Sequence, residues 1–122
     1  MKWVDELKWE AAQHWLENWE QGVYAADIYS DSCVFCNEYL HTATGKCYGC
    51  PVKEVTGLDL CQGTPWVGCN RNRLLSKCGN TAAAGEFKID SEKEYRFLVC
   101  LALGDPEDLE EAREICKPYA TI

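Results

Sequence analysis

No stretch of this sequence holds the run of about 18 apolar residues that a membrane-crossing helix needs, so no bilayer-spanning segment is expected. No apolar signal-peptide core follows Met1 either, and the expected location is the cytoplasm. Histidine is nearly missing. His14 and His41 are the two, far apart and without an H-x-x-x-H or Cys-His arrangement, which removes the usual basis for a catalytic zinc site. Positive charge is also scarce: 12 Lys and Arg face 20 Asp and Glu, for a net charge of −8. Such a molecule has no general attraction for nucleic acid, and any contact with phosphate has to be local.

What charge there is falls in blocks. Residues 1–32 carry two bases against seven acids, residues 33–78 five bases against three acids, and residues 79–122 five bases against ten acids. A mildly basic middle therefore lies between two acidic segments. With 122 residues the chain is the size of one domain, divided here into an N-terminal helix with its connection (1–32), a cysteine-rich module (33–78) and a helical hairpin (79–122).

Cysteine is abundant, with nine residues, and the odd number forbids complete pairing within the chain. Cys33-x2-Cys36 and Cys47-x2-Cys50 each present two sulfurs from one tight turn, about 3.5–4 Å apart, which suits two corners of a tetrahedron around Zn(II). The expectation is a Zn(II) site on Cys33, Cys36, Cys47 and Cys50, with Cys61 as a possible substitute ligand. A [4Fe-4S] cluster is the alternative, and disulfides fit poorly with a cytosolic chain. Four thiolates close the zinc shell and leave no position for a reacting water. A thioredoxin-like role would need a helix after the C-x2-C pair, against which Pro51 argues.

Residues 2–20 repeat apolar side chains at helical spacing over about two thirds of the wheel. Such an arc is either clasped on two sides or meets a partner. His14 reads as a structural histidine. Gln21-Gly22 closes this helix, and a short helix is expected to begin near Asn70 or Asn72. Thr81–Gly85 reads as a loop or a brief helical turn and Phe87–Ile89 as a short extended piece. Ser91 and Glu94 match a capping box that opens a helix from about Glu92 to Leu103, ended by Gly104. Asp105-Pro106 opens a second helix reaching about Cys116. The expected fold is α+β: a small metal-stapled domain in which the four-cysteine knuckle module packs with the Trp-rich N-terminal helix and the C-terminal hairpin.

The chain resembles a group of small uncharacterised, cysteine-rich proteins of tailed bacteriophages. The likeness rests on His14-Trp15, Cys33-x2-Cys36, Cys47-x2-Cys50-Pro51-Val52, Thr56-Gly57, Cys61 and Thr64-Pro65-Trp66, which span about half of the sequence. It implies an accessory phage protein acting inside a bacterium and brings no catalytic residues. Cys69, Cys78, Cys100 and Cys116 depart from the pattern and leave room for a second metal site or a disulfide.

The first functional reading is therefore an interaction protein: a zinc-stabilised scaffold that binds and alters a host bacterial protein, one engaged in defence or nucleic-acid processing. Acidic Glu6, Glu10 and Glu17 would face that partner, and acidic helices could imitate the charge of DNA. A nucleic-acid or nucleotide-binding knuckle is the alternative, with Arg71, Arg73, Lys77 and Trp66 as phosphate or partner contacts. An iron-sulfur or thiol redox protein is the third reading, and an enzyme is the least favoured.

Overall fold

The computed structural model describes residues 4–28, 33, 35, 50–58 and 61–119, and these form helices and turns with no strand among them. The α-helices among the described residues are, in order, α1 (Val4–Gln21), α2 (Pro51–Thr56), α3 (Trp66–Lys77), α4 (Ala82–Leu103) and α5 (Pro106–Cys116), with a 3-10 turn at Lys117–Tyr119. The 22-residue α4 is the central strut, and α1, α3 and α5 all pack on it. The α+β expectation is thus wrong for the described residues. No helix among them is long and apolar enough to cross a membrane.

Helix α1 buries a stripe of Leu7, Ala11, Ala12, Trp15 and Asn18, spaced by one, three or four residues as a helix facing one core requires. Gly22, at φ +88°, ends it with a left-handed turn that a side chain would resist, and its N–H reaches the Asn18 carbonyl at 3.1 Å. The chain then doubles back on α1. The Asn18 side-chain amide makes two 3.0 Å hydrogen bonds with the Asp27 backbone, donating to the carbonyl and accepting from the N–H. His14 Nε2 lies 2.7 Å from the same carbonyl oxygen. A carbonyl can only accept, so Nε2 carries the proton, and His14 has a structural role.

The largest departure from expectation is α4. Apart from Thr81, which immediately precedes it, Thr81–Gly85, expected as a loop or a brief helical turn, and Phe87–Ile89, expected as a short extended piece, both lie inside this helix, which continues through Ser91 and Glu94 without a break. Its buried stripe explains why. Phe87, Ser91, Glu94, Leu98 and Leu101 recur at three- and four-residue steps and are all buried, so a helical period is present. Two of the five are polar, however, and an apolar count breaks where they stand. Ser91 caps nothing; its Oγ donates to the Lys88 carbonyl at 3.0 Å, the back-bond of a mid-helix serine.

Two further starts differ from expectation. Pro51 occupies the first turn of α2, where its missing N–H costs nothing, so the proline begins a helix instead of opposing one. Helix α3 begins at Trp66, directly after Pro65, and not near Asn70. The hairpin of α4 and α5 has the expected Gly104 stop (φ +76°) and Pro106 start, and it meets α1 through α4. Lys88 Nζ stands 5.2 Å from the centre of the Trp19 ring across the α1–α4 contact, a cation–π pairing.

Candidate functional site

Of the four cysteines expected to hold a metal, Cys36 and Cys47 lie outside the described residues. Cys33 is half-buried, and Cys50 is buried immediately before α2. Among the described residues no three His, Cys, Asp or Glu side chains converge as a metal site would require. Cys61 is half-buried in a left-handed conformation at φ +58°, and its carbonyl accepts a 2.7 Å bond from Thr64 Oγ1. The four extra cysteines are spread out: Cys69 is buried on α3, Cys100 on α4 and Cys116 on α5, while Cys78 is exposed. All four are thiols, so no disulfide forms among them.

The residues expected to contact phosphate or a partner divide into two pairs. Trp66 and Arg73 turn toward the connection after α1. The indole N–H of Trp66 donates to the Ile28 carbonyl at 2.7 Å, and the Arg73 guanidinium donates to the Ala26 carbonyl. Arg71 and Lys77 point outward. They are exposed together with Leu74 and Leu75, which are 56% and 40% accessible. Arg71 stands three and four residues before Leu74 and Leu75, and Lys77 three after Leu74, so the four share a broad outer arc of α3. Neither cation has an ion-pair partner among the described residues, and the sequence of α3 contains no acid.

The acids expected to face a partner lie on the outer side of α1. Glu6 and Glu17 are exposed and Glu10 is half-buried. Between them stands Trp9, 48% accessible, in a helix whose inward stripe already contains Trp15. Gln13 and Glu20 complete this face, and among the described residues no base is exposed on it. The wide apolar arc seen in the sequence is therefore split, with one part in the core and Trp9 among carboxylates at the surface.

Sequence reasoning misses the pair Asp90 and Glu94, one helical turn apart on α4. Both are buried, Glu94 to 2% exposure. Asp90 accepts 2.9 Å from Asn72 Nδ2 on one oxygen and 2.7 Å from the Tyr119 hydroxyl on the other. It thereby joins α3, α4 and the C-terminal turn. Gly68 makes room for it: a Cβ there would lie 2.7 Å from the Asp90 Cγ. Glu94 Oε2 accepts the Trp66 backbone N–H at 3.1 Å. Trp66 is the first residue of α3, and its N–H is shared between Thr64 Oγ1, at 3.2 Å, and Glu94, so Glu94 joins in capping α3 from a neighbouring helix.

Burial dominates the electrostatics here. Desolvation pushes the Glu94 carboxyl up to about 8, against the lowering effect of the Trp66 N–H, so it is mostly protonated at neutral pH. Burial, followed by the charge of Glu94, raises the Cys116 thiol to about 12. Cys69, fully buried, is raised further for the same reason, with Glu94 and Asp90 adding to it. These thiols stay protonated and are poor nucleophiles. The cluster holds helices together and keeps its reactive groups away from water. A groove of about 360 Å³ between α2 and α5, with Val55, Leu58 and Cys116 in its wall, has its charges paired along α5: Arg113 with Glu110 and Lys117 with Glu114, each at 3.8 Å.

The sequence signal for the acid pair is the same Ser91-x-x-Glu94 that suggests a cap. Asp90 gives no signal of its own, standing among Lys88, Ser91 and Glu92 like any surface acid. Compared with known proteins, the chain matches no family model, no curated protein and no solved structure at meaningful similarity. These comparisons neither add to the phage resemblance nor take from it.

Proposed function

We propose that this chain is a binding protein whose outer α1 face, Trp9 with Glu6, Glu17 and Glu20, docks on a basic surface of a bacterial host protein. The observation that carries this reading is the half-exposed Trp9 set among acids. Tryptophan is among the residues most enriched as interface anchors, and a surrounding ring of carboxylates selects a cationic partner and speeds the encounter. Glu17 and Glu20 have no ion-pair partner among the described residues, so a partner's bases would complete them. Within this reading the segment between α1 and α2 is stapled by Zn(II) on Cys33, Cys36, Cys47 and Cys50, supported by the spacing of the two C-x2-C pairs. The protein acts in the host cytoplasm, as the phage resemblance implies.

The test is capture of a host protein by the immobilised chain, followed by titration calorimetry of the purified pair. Trp9→Ala should weaken binding about 30-fold or more, the scale of an anchor worth about 2 kcal/mol. Joint Glu17→Lys and Glu20→Lys substitution should also weaken it, and more at low than at high salt. A partner that binds these variants as tightly as the wild type rules out the α1 face.

A further inference from the structure

Two outer faces of this protein are opposite in charge and alike in apolar content. On α1 the exposed charges are acids, with Trp9 among them; on α3 they are bases, Arg71 and Lys77, with Leu74 and Leu75 between. Both helices give their inner sides to α4, so the outer faces point away from the core and cannot meet within one chain. They can meet between two chains.

We infer that the α3 face of one copy docks on the α1 face of another, placing Leu74 and Leu75 against Trp9 and Arg71 and Lys77 among the carboxylates of that face. Charge complementarity commits the α3 face to this occupant. In a chain of net charge −8, the acid-free α3 is the unusual surface, and its complement is an acidic face with an exposed anchor, which α1 supplies. The contact joins two different patches and is heterologous, so each added copy presents a fresh α1 at one end and a fresh α3 at the other, giving a ring or a chain. It uses the same α1 face as the host-protein reading, and the two uses exclude each other. A host partner would therefore have to displace a neighbouring copy.

Sedimentation equilibrium at about 0.1 M salt, where charges beyond about 10 Å are screened and local pairs persist, tests this. The wild-type mass should rise with concentration above the 13.8 kDa of one chain. A variant with Glu17→Lys and Glu20→Lys keeps a working α3, and one with Arg71→Glu and Lys77→Glu keeps a working α1. Each alone should associate at least tenfold more weakly than wild type. Mixed in equal amounts they are complementary at both contacts, native α3 on native α1 and the two reversed faces on each other, so association should return toward the wild-type level. All four positions are exposed, and unchanged circular dichroism confirms folding. A wild-type chain that stays at 13.8 kDa, variants that associate like wild type, or a mixture that stays monomeric would each overturn the inference. None of these results touches capture of a host protein through Trp9, so the two readings fail separately.

Discussion

Replacing Gly68 by alanine should destabilise this protein, although alanine is ordinarily the better helix residue. In a helix interior the change gains about 1 kcal/mol from propensity. Here the new Cβ would lie 2.7 Å from the Cγ of Asp90, a side chain 8% exposed and held on both oxygens by Asn72 and Tyr119. Overpacking of this kind costs about 1–3 kcal/mol, and moving Asp90 gives up two hydrogen bonds of about 1 kcal/mol each. The net loss is about 2–4 kcal/mol, or roughly 10 °C in melting temperature for a chain of this size. Gly85, exposed in the first turns of α4 with nothing within 4 Å of where an added Cβ would stand, is the control. Gly85→Ala should stabilise, by up to about 1 kcal/mol. Thermal or urea unfolding followed by circular dichroism measures both. In an Asp90→Ala background the Gly68→Ala cost should vanish, giving a coupling energy of about 3 kcal/mol in a double-mutant cycle. A Gly68→Ala protein as stable as wild type, or a cycle without coupling, would show that Asp90 is not pinned between α3 and the C-terminal turn.

Glu94 sets a pH dependence. Its ordinary value of 4.5 applies to the unfolded chain and about 8 to the folded one, so the unfolded state binds fewer protons between those values. The stability it supports is complete below the unfolded value and falls as pH rises toward 8, with a slope of at most about 1.4 kcal/mol per pH unit. Glu94→Gln keeps an acceptor for the Trp66 N–H and should remove that slope from urea midpoints measured at about pH 5 to 9; an unchanged slope would assign it elsewhere. Protein purified without oxygen should be colourless with about one equivalent of zinc by elemental analysis, and Cys36→Ser should lower both metal content and melting temperature. A brown sample containing iron would replace zinc with [4Fe-4S].

Where helices end is largely legible in the sequence. Gly22 and Gly104 stop α1 and α4, and Pro106 opens α5, because these devices act within one turn of the backbone and need no distant neighbour. The helical character of α1 is legible for a similar reason, since its apolar residues lie on the buried side with enough regularity to show the period. The start of α4 and the acid pair are hidden. A buried stripe that contains Asp90, Ser91 and Glu94 does not look buried until the groups that satisfy the two acids are known, and those groups, Asn72, Tyr119 and the Trp66 N–H, lie 18, 29 and 28 residues away.

The same distance governs the candidate surfaces. Composition alone established a chain too acidic for general nucleic-acid binding, with cysteine pairs spaced for a metal and a middle segment where bases outnumber acids. It could not say that Arg73 and Trp66 spend donors on the Ala26 and Ile28 carbonyls while Arg71 and Lys77 remain outside, nor that one tryptophan of α1 enters the core and another does not. Charge and spacing are properties of the chain; which side of a helix is inner is settled by the helix that packs against it, and here that helix is α4.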